Sequence, residues 1–271
     1  MRLVLPWSLA VAFVLAGCGG AEQTPSAVSP ISSGSQPVVS QLQNAYVQCR
    51  NLSQTLTDFT PPYSQNGHSR WLIIGSSSAY GAGASSYEKS WAGLLTNLAA
   101  EQGIEVINIA RGGYTTYKAL PSECDIQSAR PQADLNHNID QALLQSADLV
   151  IVSFPSNDAA AGYTAEESAF NLLMFRSALA QKQVPVVTLG TQPRNMAVAK
   201  QQALKELDRL LKPRLAPCLV ELYSHLVDNN GNLSSQYDSG DGVHLNDAGH
   251  KVVLSRLLTV VHPGVATSCL D

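Results

Sequence analysis

The sequence predicts an α/β fold, in which helices cover both faces of a parallel sheet. Five short apolar runs have the character of buried strands, and stretches with helical spacing of about ten residues or more separate them. Such alternation is typical of parallel sheets, because each helix carries the chain back to the starting edge of the sheet. The sequence contains no internal repeats.

The strands and helices are predicted in a regular order. Strands are expected at residues 71–75, 104–109, 148–154, 184–190 and 218–222. Helices are expected near residues 88–101, 136–146, 164–182 and 196–212, and a last helix starts at Asn246 ahead of the apolar run from Val252 to Val261. The carboxyl ends of parallel strands face one crevice, so residues that follow different strands can converge there.

Residues 241–249, which read Asp-Gly-Val-His-Leu-Asn-Asp-Ala-Gly, carry the clearest chemical signal. Asp241 stands three residues before His244, on a loop just ahead of the last helix. A carboxylate at this spacing can hydrogen-bond one imidazole nitrogen and leave the other free as a general base. Asp238 and Asp247 are alternative partners, and His244 could instead only cap the helix.

The first predicted strand leads to a candidate nucleophile. The apolar run 71–74 continues into the segment Gly75-Ser76-Ser77-Ser78-Ala79-Tyr80-Gly81. A serine at the carboxyl end of a parallel strand, on a turn that glycines keep open, is well placed to attack an ester carbonyl. Residue type alone does not distinguish Ser77 from Ser76 and Ser78.

Two further strand ends offer groups that could stabilise an oxyanion. Gly113 closes the segment that follows the second predicted strand, and Asn157 follows the third. A backbone amide and a side-chain amide are suitable oxyanion donors at such positions. The alternatives are a glycine needed only for a tight turn and an asparagine that only caps one, and the neighbouring Asp158 is predicted to be structural.

These four segments, in this order and spacing, resemble the blocks of the SGNH hydrolases, also called the GDSL esterase and lipase family, over roughly residues 69–262. The resemblance implies a three-layer α/β/α, flavodoxin-like fold with a five-stranded parallel sheet. It implies Ser77 as the nucleophile, because Ser77 has the family's spacing to Gly81. His244 is then the base, and Asp241 orients it. The implied oxyanion hole consists of Ser77, Gly113 and Asn157.

Two positions depart from the family pattern. Ser76 stands where the family usually has an aspartate, and Pro155 stands where it usually has a glycine. Neither position attacks substrate or takes a proton, so we interpret both changes as altering how the loops are held and how the site is shaped. A non-catalytic copy of the fold is the alternative.

The first 40 residues predict export and a lipid anchor. Residues 1–17 contain one basic residue, Arg2, and an apolar run too short for a transmembrane helix of about 20 residues, as in a cleaved signal peptide. The segment Leu15-Ala16-Gly17-Cys18 resembles a bacterial lipoprotein box, which implies lipid on Cys18. Residues 18–40 predict a flexible tether. An ordinary secretory signal is the alternative.

Residues 41–68 are predicted to lead into a single domain at 69–271. Helical spacing of apolar residues within 41–63 predicts a helix that packs on the flank of that domain. The domain has about 200 residues, which is enough for a sizeable core.

Four cysteines follow the lipobox: Cys49, Cys124, Cys218 and Cys269. An even number of cysteines in an exported chain favours disulfides. Three pairings are possible, and we expect one bridge to tie the lead-in segment or the Cys124 loop to the carboxyl-terminal tail. Free buried thiols are the alternative.

Charge and spacing exclude several other classes. A net charge of −4 without a basic run gives no electrostatic footprint for nucleic acid. The glycine-rich segment 81–86 lacks the spacing of nucleotide-binding loops. No metal-ligand cluster is apparent, and hydrolysis by a Ser-His-Asp triad needs no metal or other cofactor.

The family resemblance and the leader together predict an exported, lipid-anchored serine esterase of the bacterial envelope, facing the periplasm or in the outer membrane. Expected substrates are small-molecule esters, lipid-derived esters or acetylated glycans. Short acyl and O-acetyl groups are favoured, because no long apolar lid segment is visible. Two alternatives stay open: a non-catalytic envelope protein that binds glycan or protein, and an O-acyltransferase that uses the same residues on a sugar hydroxyl.

Overall fold

The computed structural model describes residues 41–54, 69–264 and 269. The predicted signal peptide (1–17), the lipidation site Cys18 and the tether (18–40) lie outside these residues. Among the described residues, none of the helices has the length and hydropathy that a membrane span requires.

The described chain forms a five-stranded and a two-stranded sheet with helices between the strands. In chain order the strands are β1 (Val47–Cys49), β2 (Ser69–Gly75), β3 (Ile104–Asn108), β4 (Cys124–Ile126), β5 (Leu149–Ser153), β6 (Val186–Leu189) and β7 (Leu219–Val220). The α-helices are α1 (Ser77–Tyr80), α2 (Trp91–Ala100), α3 (Thr116–Ala119), α4 (Ile139–Leu144), α5 (Asn157–Ala161), α6 (Ala165–Gln181), α7 (Val198–Leu215), α8 (Tyr223–Leu226) and α9 (Asp247–Leu257).

The larger sheet is parallel throughout, in the order β3-β2-β5-β6-β7. Numbered along the chain, its strands follow the flavodoxin-like order 2-1-3-4-5. Side chains alternate across β2, so that Leu72 and Ile74 pack with α4, α6 and α7, whereas Trp71 and Ile73 pack with α2 and α9 on the opposite face. The predicted three-layer α/β/α fold with a five-stranded parallel sheet is confirmed.

All five predicted strands and the long predicted helices are present, and several helices begin at capping residues. The side chains of Ser90, Thr164 and Asn246 accept N–H groups from the first turns of α2, α6 and α9. Such caps satisfy donors that have no partner inside the helix. Asn246 therefore fixes where α9 starts, as the sequence predicts.

Over residues 41–54 the predicted lead-in helix is wrong, and the remainder of that prediction, residues 55–63, lies outside the described residues. The described residues 41–54 contain no helix, and β1 pairs antiparallel with β4. Leu42 is buried, and the Asn44 side chain donates to Asn171 and Tyr117 in the domain. These contacts join residues distant in sequence, so they outweigh the local helical spacing that the prediction used.

The prediction of disulfides is confirmed, but the expected pairing is wrong. Cys49 bonds to Cys124, and Cys218 bonds to Cys269. The lead-in segment is thus joined to the Cys124 loop, because Cys49 and Cys124 lie opposite each other in the pairing of β1 with β4. The tail residue Cys269 is joined instead to the residue before β7.

Candidate active site

Ser77 lies just beyond the carboxyl end of β2, as the first residue of α1. Gly75 cannot carry a side chain here, because a Cβ atom would lie 2.3 Å from the carbonyl oxygen of Ser153 on β5. The N–H of Ser76 donates to that same oxygen at 2.9 Å and holds the turn. The turn leaves Ser77 partly exposed, whereas Ser76 and Ser78 are buried.

His244 stands on the loop between Asp241 and α9. Its Nε2 lies 3.0 Å from Oγ of Ser77, and its Nδ1 lies 2.6 Å from Oδ2 of Asp241. When Nδ1–H donates to the carboxylate, Nε2 is unprotonated and can accept the serine hydroxyl proton. The structure therefore brings the three residues of the predicted triad together in hydrogen-bonding order.

Asp241 stays ionised in this arrangement. Burial by itself would raise the pKa, but the backbone and ring N–H groups of His244 and the N–H of Val243 outweigh it and lower the pKa of Asp241 to about 2. A carboxylate that is charged at neutral pH can hold His244 in one tautomer and can stabilise an imidazolium.

A second pair with the same spacing, Asp134 and His137, lies beside the candidate site. Nδ1 of His137 is 3.1 Å from Oδ2 of Asp134, and its Nε2 accepts from Nε of Arg111 at 2.7 Å. The hydroxyl of Tyr114 also donates to Asp134. This pair holds an arginine rather than a serine, although its spacing in the sequence equals that of Asp241 and His244.

The histidine of a third pair with this spacing, Asp247 and His250, belongs to the core. His250 is fully buried, and its ring bonds the N–H of Trp91 and the carbonyl of Ala82. Burial lowers the pKa of His250, so the neutral ring is favoured. Among the described histidines, only His244 contacts a serine hydroxyl, and no three His, Cys, Asp or Glu side chains of these residues are grouped as a metal site requires.

Gly113 lies on the loop after β3, close to the nucleophile turn. The N–H of Arg111 donates to the carbonyl of Gly75 at 3.0 Å and holds the two segments together. Gly113 has a φ of 77°, in the region that favours glycine. In the described part of the chain, neither the N–H of Gly113 nor that of Ser77 has an acceptor. Both donors are therefore available to an oxyanion.

Asn157 begins α5 just after β5, and its side-chain amide is fixed at both ends. Nδ2 donates to the carbonyl of Tyr114 at 2.9 Å, and Oδ1 accepts from Arg194 at 3.2 Å. These contacts set which way the amide faces and leave one Nδ2 hydrogen for an oxyanion. Sequence reasoning did not find Arg194. Its position shortly after the predicted strand 184–190 is the one signal that could have indicated it.

Asp158, predicted to be structural, is fully buried below Asn157. It accepts the N–H of Thr116 at 2.9 Å and the hydroxyl groups of Thr116 and Ser168. Burial raises its pKa to about 6, and the hydrogen bonds only partly offset this rise. The carboxylate joins α3 and α6 to the start of α5, which supports the position of Asn157.

The glycine-rich loop 81–86 packs against the segment that carries His244. Ser85 donates its N–H and its hydroxyl to Asp247, in the first turn of α9, at 2.7 and 2.8 Å. Gly83 has a φ of 90°, and a Cβ atom there would lie 2.3 Å from the carbonyl oxygen of Leu245. The loop therefore fits closely against the segment that carries His244.

The two departures from the family pattern, Ser76 and Pro155, lie in loops that hydrogen-bond to neighbouring segments. The carbonyl of Pro155 accepts the N–H of Gln192 at 3.1 Å. The Gln192 side chain in turn donates to the carbonyl of Val243 at 2.7 Å, next to His244. With Ser76 and Pro155 in place, His244 still lies within hydrogen-bonding distance of Ser77.

The part of the chain that contains this site matches a known protein family. Residues 73–252 match the sequence model of the GDSL-like Lipase/Acylhydrolase family. That range contains all five candidate residues: Ser77, Gly113, Asn157, Asp241 and His244. No curated protein matches the chain.

Solved structures resemble the fold. A lipase from a goat rumen metagenome is 16% identical, with 70% of this chain and 96% of its own covered and a TM-score of 0.54. A GDSL-like lipase from Bacteroides thetaiotaomicron is 18% identical, with 76% and 90% covered and a TM-score of 0.52. A member of the lipolytic G-D-S-L family from Veillonella parvula is 15% identical, with 70% and 96% covered and a TM-score of 0.51. At these identities the likeness is one of fold.

Proposed function

This chain belongs to the GDSL-like lipase/acylhydrolase family, and from that membership we propose that it is a serine esterase acting through Ser77, His244 and Asp241. One observation carries the proposal. Oγ of Ser77 lies 3.0 Å from Nε2 of His244, whose Nδ1 lies 2.6 Å from Asp241. Both distances allow the hydrogen bonds through which a base activates a serine.

In the acylation step, Oγ of Ser77 attacks the ester carbonyl carbon and passes its proton to Nε2 of His244. The Asp241 carboxylate stabilises the imidazolium. The tetrahedral intermediate collapses when the imidazolium gives its proton to the departing alcohol oxygen. An acyl-enzyme remains on Ser77, and a water molecule activated by His244 then releases the acid.

The developing oxyanion would be held by three donors from different strand ends. These are the N–H groups of Ser77 and Gly113 and the free Nδ2 hydrogen of Asn157. Arg194 supports this arrangement, because its bond to Oδ1 turns the amide nitrogen of Asn157 towards the loop that carries Gly113. Loss of one such donor costs about a hundred- to a thousand-fold in rate.

Hydrolysis of p-nitrophenyl esters, from acetate to palmitate, tests the proposal. The protein should hydrolyse at least one of them, and Ser77→Ala should abolish the activity. Ser78→Ala is the matched control, because this neighbouring serine is buried and does not contact His244. The length optimum would decide between the favoured short acyl or O-acetyl esters and lipid-derived esters.

A serine-reactive phosphonate covers substrates that this series lacks. Labelling that disappears in Ser77→Ala would support an activated nucleophile even if every aryl ester is a poor substrate. Product analysis with an acceptor glycan would then separate an esterase from an O-acyltransferase. Absence of both hydrolysis and labelling would favour the non-catalytic binding protein instead.

We further propose that the protein is exported to the bacterial envelope and anchored by lipid on Cys18. Support comes from the leader, which resembles that of a lipoprotein, and from two disulfides in the described chain, which are typical of oxidising compartments. Labelled palmitate should enter the protein in bacterial cells, and Cys18→Ala should abolish both labelling and membrane recovery. Cleavage before residue 18 without lipid would indicate an ordinary secretory signal.

A further inference from the structure

Two arginines lie beside the proposed oxyanion donors. Arg111 is two residues before Gly113, and its backbone N–H donates to the carbonyl of Gly75 at the start of the nucleophile turn. Arg194 bonds Oδ1 of Asn157. The residue after Arg194 donates its backbone N–H to the carbonyl of Gly242, in the loop between Asp241 and His244, at 2.8 Å. Both arginines are therefore attached to the site by the backbone of their own segments.

Neutral groups hold both guanidinium groups. Nε of Arg111 donates to Nε2 of His137 at 2.7 Å, and Nδ1 of that imidazole faces Asp134 at 3.1 Å. The imidazole must be neutral to accept at Nε2 while it donates from Nδ1. Nη1 of Arg194 donates to the side-chain amide oxygen of Asn157 at 3.2 Å. Each side chain is thus oriented while most of its N–H groups remain free.

Four of the other arginines in the described chain are paired with carboxylates. These pairs are Arg50 with Asp125, Arg70 with Glu105, Arg130 with Glu167 and Arg209 with Glu206. Within the described residues, no carboxylate lies within ion-pair distance of Arg111 or Arg194. Asp134 is linked to Arg111 through His137, but its Oδ2 faces Tyr114 and His137 and its Oδ1 accepts the N–H of Asn136.

Unpaired arginines at this position contrast with the charge of the whole protein. The chain has a net charge of −4, so its overall field repels anions. Arg111, on the loop of Gly113, and Arg194, bonded to Asn157, add two guanidinium charges without an ion-paired carboxylate to the segments that carry these proposed oxyanion donors. Arginine forms paired hydrogen bonds with carboxylate and phosphate groups, whose geometry matches its planar fork.

We propose that Arg111 and Arg194 form an anion subsite, and that the ester substrate carries a carboxylate or phosphate group next to its scissile bond. The inference rests on the proposed esterase function and names its substrate class. Arg111 is the main ligand, because its two Nη groups have no hydrogen-bond partner among the described residues. Arg194 also positions Asn157, so its loss affects catalysis as well as binding.

Matched ester pairs test the subsite on either side of the scissile bond. The p-nitrophenyl monoester of glutarate against p-nitrophenyl valerate places the charge on the acyl side. The p-acetoxybenzoate anion against its methyl ester places it on the alcohol side. The readout is the ratio of kcat/KM for the charged ester to that for its neutral partner, so changes common to both esters cancel.

Arg111→Gln should lower this ratio by about tenfold or more for the pair that reaches the subsite, because it removes charge-assisted hydrogen bonds. Arg111→Lys should restore part of the ratio. Arg209→Gln, at an exposed position on α7, is the control and should keep the wild-type ratio. Raised salt should lower the wild-type ratio more than that of Arg111→Gln.

Ratios in Arg111→Gln within about twofold of wild type for both pairs would overturn the anion subsite and leave the esterase proposal intact. An equal loss with charged and neutral esters would also overturn it and make Arg111 a positioning residue. If no ester is hydrolysed, equilibrium binding of the same pairs to Ser77→Ala is measured instead. Equal affinity for charged and neutral esters would then overturn the subsite, whereas missing phosphonate labelling of Ser77 would overturn the esterase function.

Discussion

Asp241 has two separate tasks in the active-site loop, because its two oxygens face different donors. Oδ1 accepts the N–H groups of Val243 and His244, each at 2.8 Å, and so fixes the loop. Oδ2 faces Nδ1 of His244 and favours one tautomer of the ring. A substitution that preserves shape but removes charge separates the two tasks.

Asp241→Asn should therefore lower kcat by about ten-thousand-fold without unfolding the protein. The amide oxygen can still accept the loop N–H groups, but the amide nitrogen would face Nδ1 and favour the wrong tautomer of His244. Ester hydrolysis measures the loss, and circular dichroism checks the fold. Asp125→Asn, at an exposed position on β4, is the control. A loss of less than about tenfold would contradict the orienting role of Asp241.

Asp158 predicts a pH dependence of stability. Burial raises its pKa to about 6, against about 3.9 in an unfolded chain. Between these values the folded protein binds more protons than the unfolded chain, so this group lowers the free energy of unfolding as pH rises. Asp158→Asn removes that titration. The variant's free energy of unfolding minus that of the wild type should rise by on the order of 1–3 kcal/mol from about pH 4 to about pH 7.

Urea unfolding across this pH range measures the difference. Asp148→Asn provides a comparison, because that carboxylate is exposed and lies at the opposite, amino-terminal end of β5. A pH-independent difference between Asp158→Asn and the wild type would show that the buried carboxylate keeps an ordinary pKa. The hydrogen bonds from Thr116 and Ser168 would then fully offset its burial.

At the scale of elements, the loop 81–86 and the start of α9 act as a single support for His244. Gly83→Ala tests this fit. The new Cβ atom would lie 2.8 Å from Cβ of His244 and 2.3 Å from the carbonyl oxygen of Leu245, at a φ of 90°. The loop or the histidine must move, so we expect a rate loss of about a hundred-fold, because small misplacements of reacting groups are costly.

Gly103→Ala is the matched control for Gly83→Ala. Gly103 also has a positive φ, of 72°, but a Cβ atom there would meet nothing within 4 Å. It should lose about 1 kcal/mol of stability through backbone strain and keep its esterase rate. Similar rate losses in both variants would mean that strain, rather than displacement of His244, explains the effect.

The long elements could be predicted from sequence because their periodicity is local. Four strands of the larger sheet are largely buried apolar runs, the edge strand β3 is only partly buried, and the helices between the strands repeat an apolar face. Short helices such as α1 and α5 have too few residues to show a period. The pairing of β1 with β4 joins residues 75 positions apart, as the Cys49–Cys124 bridge shows, and no local pattern reveals it.

The candidate site was predictable only in part, for the same reason. Spacing identifies the triad residues through the family resemblance, yet the same Asp-x-x-His spacing also occurs at Asp134 and at Asp247. Only the contacts of each imidazole separate the three pairs. Arg194 and Gln192 act through side-chain contacts between loops, so their residue types gave no signal in the sequence.

At the scale of the whole molecule, a buried polar network joins the lead-in segment to the site. Asn44 donates to Asn171 at 3.0 Å, and Asn171 donates to Oγ1 of Thr116 at 2.9 Å. Thr116 in turn bonds Asp158, the residue after Asn157. Buried networks of this kind stabilise a fold only when all their members are satisfied. The lead-in segment therefore contributes to the support of α5.

The two disulfides join the lead-in segment and the tail residue Cys269 to the domain. They predict that the stability of the protein depends strongly on redox conditions. They close loops of 75 and 51 residues, and each should contribute about 2–4 kcal/mol, chiefly by restricting the unfolded chain. The double variant Cys49→Ala/Cys124→Ala and the double variant Cys218→Ala/Cys269→Ala should each lower the free energy of unfolding by this amount. In reductant, which opens both bridges, the free energy of unfolding of the wild type should fall by about the sum of these two losses.

Counting the reactive thiols of the purified protein decides whether these bridges form. In urea without reductant, Cys49, Cys124, Cys218 and Cys269 should not react, and all four should react once reductant is added. Four reactive thiols before reduction would contradict the disulfides and remove one support for an oxidising compartment. The double variants separate the two bridges, since each should lose two of the thiols that reductant releases. A bridge that forms but adds no stability would show that residual structure already restricts the unfolded chain around β1 or β7.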